Sequence, residues 1–230
     1  MMSQNLVALN EPYSMVSESY KMFSTNLNYT NRKKENNVIL FTSTTTEEGK
    51  TISVANTAIS YAKAGKKVLL IEGDLRKARI HEVFGLNVAP GLSDLLLGKK
   101  RLPEVVKTVE DIKNLHILTS GNFIADPTEI LSSYAFDSFI DQVKQEFDII
   151  LIDAPPVLSV TDTVIISRVT DGVVLIIAMK ETKKEAVKQA KKVLEKVEAN
   201  ILGVLMTKSE RKMNKAYDYY QPDKKKNKTS

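Results

Sequence analysis

From Asn37 onward the sequence alternates short, almost unbroken apolar runs with longer amphipathic stretches, and few folds accept that alternation. VILFTS (Val38 to Ser43), KVLLIEGD (Lys67 to Asp74), NLHILTSG (Asn114 to Gly121), DIILIDAPP (Asp148 to Pro156), GVVLIIAM (Gly172 to Met179) and NILGVLMT (Asn200 to Thr207) have the length and branched-chain content of buried strands. Helical patterns separate them: Thr51 to Ala64, closed by Gly65, then Tyr134 to Glu146 and Lys183 to Val197. Six strands with helices between them predict an α/β domain with a doubly wound, mainly parallel sheet over residues 37–207. Residues 1–36 read as an N-terminal helical arm with one helix near Met15 to Tyr29, and residues 208–230 as a polar, mobile C-terminal tail.

Composition removes several chemistries. The 230 residues include no Cys, which excludes disulfides, thiolate metal sites and Cys nucleophiles together, and His81 and His116 are too few for a His-based metal centre. No apolar run approaches the roughly 18 residues of a membrane span, and the opening MMSQNLVALNEPYS lacks a basic segment followed by an apolar one, so a cytoplasmic chain is expected. The net charge of +5 is local. Residues 208–230 hold eight basic side chains against three acids, which is the whole excess, and the rest of the chain is balanced. A nucleic-acid binder spreads its basic residues over a folded face, so no nucleic-acid partner is expected.

The first apolar run leads straight into TSTTTEEGKT, whose Gly49-Lys50-Thr51 opens a helix. A strand, a tight loop and a helix N-terminus present successive backbone N–H groups to an anion, with a Lys for phosphates and a hydroxyl for Mg²⁺. The full phosphate-loop pattern would have Gly at position 44, where this chain has Thr44. Two further strands end in acids, Glu72-Gly73-Asp74 and Asp153, on the sheet edge where open α/β folds bind ligands. Asp153 after four apolar residues has the form of a Walker B carboxylate.

TSTTTEEGKT, EGDLRKA, LIDAPP and the intervening GLSDLL and DPTEIL together resemble the bacterial tyrosine kinases, in particular the separate cytoplasmic kinase subunit of capsule and exopolysaccharide systems. The likeness runs from about residue 13 to residue 221, and it implies a fold of the P-loop NTPase type. By that resemblance ATP is held by Thr46, Glu47, Glu48, Gly49, Lys50, Thr51 and Ile52, and Mg²⁺ by Thr51, Asp74 and Asp153. Lys50, Glu72, Asp74 and Asp153 become the catalytic set, with Glu72 acting on the tyrosine hydroxyl. Tyr217, Tyr219 and Tyr220, crowded into a segment too polar to pack, become autophosphorylation sites. The implied partners are a transmembrane modulator that brings the chain to the inner face of the membrane, protein tyrosine substrates, and other copies of the chain.

Three positions depart from the family pattern. Glu72 stands where Asp is usual, Glu18, Lys21 and Ser24 stand where ring-forming members carry Glu, Arg and Arg, and Thr207 stands where an Asn lies near the adenine. Partitioning and division-site ATPases share the expected fold, but their signature lysine would fall at Thr45, and they leave the tyrosines unexplained. A nucleotide-binding scaffold without catalysis would not need Lys50, Thr51, Asp74 and Asp153 together.

Overall fold

The computed structural model describes residues 2–30 and 37–209. In chain order the elements are α1 (Val7–Asn10), α2 (Met15–Thr30), β1 (Asn37–Ser43), α3 (Lys50–Lys63), β2 (Val68–Glu72), α4 (Ile80–Phe84), α5 (Leu92–Leu96), α6 (Leu102–Val105), β3 (Val106–Thr108), β4 (Leu115–Leu118), α7 (Pro127–Leu131), α8 (Tyr134–Lys144), β5 (Ile149–Asp153), α9 (Asp162–Ser167), β6 (Gly172–Ala178), α10 (Lys184–Lys196) and β7 (Ile201–Thr207). The strands form one sheet in the order β3-β4-β2-β5-β1-β6-β7, parallel throughout except for β3, which pairs antiparallel with β4.

The continuous apolar strands are explained by helices on both faces. In β1, Ile39 and Phe41 face the core under α2 and α3, while Val38 and Leu40 face the second core, to which α8 and α9 contribute. In β2, Val68 and Leu70 join the first core, and Leu69 and Ile71 the second. Side chains alternate across a strand, so a central strand covered on both sides must be apolar at every position. The chain leaves β1 toward β2 on one side and returns through β5 to β6 and β7 on the other. The crevice at that reversal, outside the strand carboxyl ends, is where such sheets take ligands.

Three features differ from the sequence expectation. β3 is a seventh strand, three residues long, and Lys107 and Thr108 give it no apolar signature. Among the described residues the N-terminal arm holds two helices, α1 and α2, rather than one, and both pack onto the domain. Leu6, Ala8 and Leu27 are buried in the same core as α3. The fully buried Asn56 of α3 fastens this segment: its Oδ1 accepts the Ala8 N–H at 2.8 Å, and its Nδ2 donates to the carbonyls of Asn5 and Ile52 at 3.0 and 2.9 Å. Lys63 Nζ adds a bond to the Ala8 carbonyl at 2.6 Å. Third, Ser24 faces inward and its carbonyl accepts the buried Tyr61 hydroxyl at 3.0 Å, while Lys21 pairs with Glu18 at 2.6 Å on the same helix. Tyr217, Tyr219 and Tyr220, and the tail from residue 210, lie outside the described residues.

Candidate active site

β1 ends at Ser43, and the chain needs a tight reversal to enter α3. Gly49 supplies it with φ of +83°, a left-handed conformation that a side chain would strain, so α3 begins at Lys50 with its first N–H groups open. Glu47 also takes a left-handed φ of +65°, at a cost of about 1 kcal/mol for a residue with a Cβ. It lines a cavity of about 500 Å³, which Thr46, Gly49, Lys50, Thr51 and Ile52 also line. These expected phosphate-loop residues therefore come together on one wall.

Glu48 does not share that wall. Its buried carboxylate turns back and accepts the Thr44 N–H at 2.7 Å, the Thr44 hydroxyl at 2.6 Å and the Thr182 hydroxyl at 2.5 Å. The Thr207 hydroxyl donates to the Glu48 carbonyl at 2.6 Å. Glu48 thus ties the loops after β1 and β6 and the end of β7 into one body, so its side chain is a brace and only its backbone is left for a ligand. Thr207, expected near the base, spends its hydroxyl on the same brace.

The two acids of the carboxyl edge meet the helix start. Lys50 Nζ lies 2.5 Å from Asp153 Oδ1 and 4.0 Å from Asp74 Oδ2, and the Thr51 hydroxyl donates to Asp153 Oδ2 at 2.7 Å. Lys50, Asp74 and Asp153 are all buried. Burial raises the Asp74 carboxyl above the usual range, with the Lys50 charge opposing. Gly73 lets Asp74 approach, because a Cβ there would lie 2.9 Å from an Ile152 methyl. Thr51, Asp74 and Asp153 offer only hard oxygen donors around the site of the Lys50 ammonium. They make no cluster of three or more acids or histidines among the described residues, and such a set suits Mg²⁺ that arrives with a nucleotide and keeps its phosphates and waters as further ligands.

Glu72 is placed apart from the other residues of the expected catalytic set. Its side chain is fully buried and does not line the cavity. Oε1 accepts the N–H groups of Arg79 and Ile80, the latter at 2.6 Å, and Oε2 accepts the Ser120 N–H at 3.3 Å. Burial pushes its carboxyl up to about 7, with the Asp153 charge adding to the rise and the three N–H donors opposing it. Glu72 therefore anchors the segment that follows β2 and starts α4, with its carboxylate engaged by backbone N–H groups rather than lining the cavity. Its neighbour His81 has Nδ1 3.7 Å from Oε2, and His116 packs edge-on to Phe147 with ring centres 5.2 Å apart.

Residues that motif reading passed over complete the cavity. Lys77, Arg79 and Glu82 line it from the segment after Asp74, and Ser3 and Asn5 from the N-terminal segment that Asn56 holds down. Arg76 is fixed by the fully buried Asp162, with Nε to Oδ2 at 2.8 Å and Nη2 to Oδ1 at 3.1 Å, and by the Thr128 hydroxyl. The run RKAR directly after a strand-end acid was the signal available for Lys77 and Arg79. Nothing local announces Ser3 or Asn5.

Comparison with known proteins agrees with this fold. Residues 36–207 match the AAA domain family. Tyrosine-protein kinase YwqD of Bacillus subtilis (strain 168) is 35% identical over 219 residues, covering 95% of this chain and 92% of the relative. The crystal structure of the chimerical protein CapA2B2 superposes with a TM-score of 0.85 at 32% identity, covering 90% of each chain. The septum site-determining protein MinD of Pyrococcus horikoshii OT3, solved with Mg-ADP, superposes with a TM-score of 0.64 at 25% identity over 80% of this chain and 76% of that one. With its P-loop fold, its Lys50–Asp153 site and a kinase relative matched over almost its whole length, the chain belongs to the family of bacterial tyrosine-protein kinases.

Proposed function

We propose that this chain transfers the γ-phosphoryl group of ATP to protein tyrosines, including Tyr217, Tyr219 and Tyr220 of a second copy, and that it does so at the inner face of the membrane beside a transmembrane modulator of capsule or exopolysaccharide production. The observation that carries this reading is the convergence of Lys50 and Thr51 on the two oxygens of Asp153, at 2.5 and 2.7 Å, at the carboxyl edge of the sheet, with Asp74 4.0 Å from the same ammonium. In the transfer, the bond between the γ-phosphorus and the β–γ bridging oxygen breaks, a bond to the tyrosine oxygen forms, and the phenolic proton is released. Mg²⁺, when bound, would neutralise charge on the phosphates. Lys50 and the N–H groups opening α3 hold the phosphates in line, and positioning with charge stabilisation accounts for most of the rate in such reactions.

Transfer between copies is supported by chain length. Ten residues separate Thr207, the end of β7, from Tyr217, and ten extended residues span at most about 33–36 Å, enough to reach a neighbouring site. None of the described helices is long and apolar enough to cross a membrane, which fits membrane attachment through the modulator. Self-association of the ring kind has little support at α2, where Lys21 is spent on Glu18 and Ser24 is buried.

The test is phosphotyrosine formation with ATP and Mg²⁺. Lys50→Met should reduce it by about 10²-fold or more while leaving the circular dichroism spectrum intact. Mixing Lys50→Met chains with an active chain truncated after Ser209 should place phosphotyrosine on the inactive partner. Wild-type phosphotyrosine levels in the Lys50→Met chain would defeat the assignment, and an unlabelled inactive partner would defeat transfer between copies.

A further inference from the structure

Arg79 differs from the other arginines among the described residues. Arg76 is bound to Asp162, Arg101 to Glu104 and Arg168 to Asp137, whereas the Arg79 guanidinium has no side-chain partner among them. Its backbone is nevertheless fixed. The Glu72 carboxylate holds the Arg79 N–H, and Asp74 Oδ1 holds the Lys77 N–H at 3.0 Å. Two exposed cations thus stand on backbone tied to two buried acids, and both line the cavity that Lys50 and Thr51 line. A guanidinium presents a planar fork that takes a carboxylate in two parallel hydrogen bonds, and an unpaired one on a cavity wall is prepared to do so.

We propose that Arg79, with Lys77 beside it, binds a carboxylate adjacent to the acceptor tyrosine, so that the preferred acceptors are tyrosines with an acid as their immediate neighbour. The proposal rests on the tyrosine-kinase reading of this site. The chain supplies such an acceptor in Tyr217-Asp218-Tyr219 of a second copy. An extended peptide turns alternate side chains to opposite sides. When Tyr217 or Tyr219 points to Lys50 and Thr51, Asp218 points away from them and is free to be taken by Arg79 and Lys77. Tyr220 falls on the Asp218 side and has Tyr219 and Gln221 as neighbours, so it lacks the adjacent acid. Glu47 and Glu82 at the same cavity complement the flanking Lys215 and Lys224. Tyr217 and Tyr219 are therefore modified before Tyr220.

The experiment uses the full chain carrying Tyr217→Phe, Asp218→Asn, Tyr219→Phe and Tyr220→Phe as enzyme, so that its own tail offers neither an acceptor nor the recognised carboxylate. The probe is a fluorescent peptide of residues 214–224, compared with its Asp218→Asn counterpart by anisotropy in the presence of Mg-ADP. The Asp peptide should bind about ten-fold more tightly, the loss expected for one charge-assisted pair. Arg79→Ala should abolish that difference and Arg79→Lys should retain part of it, with ADP affinity unchanged in both. In turnover, Arg79→Ala should raise KM for the Asp peptide and leave kcat alone, and mass spectrometry of the unmodified chain should find Tyr220 labelled last. Equal binding of the two peptides, a preference that survives Arg79→Ala, or a fall in kcat alone for both peptides would overturn the proposal. A preference in binding without any phosphotyrosine from the unmodified enzyme would remove the kinase reading and leave the recognition site standing.

Discussion

Replacing Glu72 with Gln separates an anchoring carboxyl from a catalytic one. In the folded chain burial holds this carboxyl at about 7, against an ordinary value of 4.5 that the unfolded chain would restore. Between those values the folded chain binds a proton that the unfolded chain has released. The contribution of Glu72 to stability is therefore full below about 4.5 and is lost as pH rises through about 7. Each unit of displacement is worth about 1.4 kcal/mol, so going from pH 5 to pH 8 withdraws about 2–3 kcal/mol from the wild-type chain. Gln has the same shape and no such slope. Its amide oxygen can still accept from Arg79 and Ile80, but its NH₂ opposes the Ser120 N–H that now donates to Oε2, at a cost of about 1–2 kcal/mol. Glu72→Gln should thus be less stable than wild type by about 1–2 kcal/mol at pH 5, and equal to or more stable than it at pH 8. Urea unfolding of both chains at the two pH values measures this, and other titrating groups cancel in the difference. A stability gap that is the same at pH 5 and pH 8 would refute the buried, proton-retaining Glu72.

Asn56→Ala removes three hydrogen bonds and leaves the Ala8 N–H without its partner, so it should cost about 2–3 kcal/mol and lower Tm by about 4–12 °C, read by calorimetry. Thr207→Val keeps the shape but loses the bonds to the Glu48 and Ile177 carbonyls; titration with ADP should show affinity reduced a few-fold, and unchanged affinity would free Thr207 from the brace. Leu40→Ala opens a void in the second core, on an interior strand paired on both sides, and should destabilise by about 2–5 kcal/mol in urea unfolding.

The central strands were legible because burial on both faces leaves them almost no polar residues, and Lys50, Thr51, Asp74 and Asp153 were legible because each follows a strand or opens a helix in a fixed pattern. β3 was not, since a three-residue edge strand containing Lys107 satisfies its backbone through β4 and carries no periodicity of its own. The short helices α4 to α7 fall below the length at which a 3.6-residue period can be recognised. The backbone contacts of Glu72 were hidden for a different reason. An acid at the carboxyl end of an apolar strand looks the same whether it faces the crevice or the interior, and here the choice is made by N–H groups of Arg79, Ile80 and Ser120, the last of them 48 positions away. The packing of the first thirty residues was hidden similarly, because three apolar anchors and one asparagine on a distant helix hold a largely polar segment.

That asparagine has a practical consequence for anyone handling the protein. Asn56 pins the chain at Asn5 and Ala8, and the Ser3 N–H bonds to the Val83 carbonyl, so the first few residues form the rim of the reaction cavity. An affinity tag or a fluorescent protein joined ahead of Met2 would emerge at the rim of the cavity proposed to take the acceptor, and one joined after Ser230 would follow the proposed acceptor tyrosines in the chain. Neither end is a neutral handle, and a label intended to report on turnover without disturbing it belongs on the outward side of α10, where only Ala190 and Leu194 are buried.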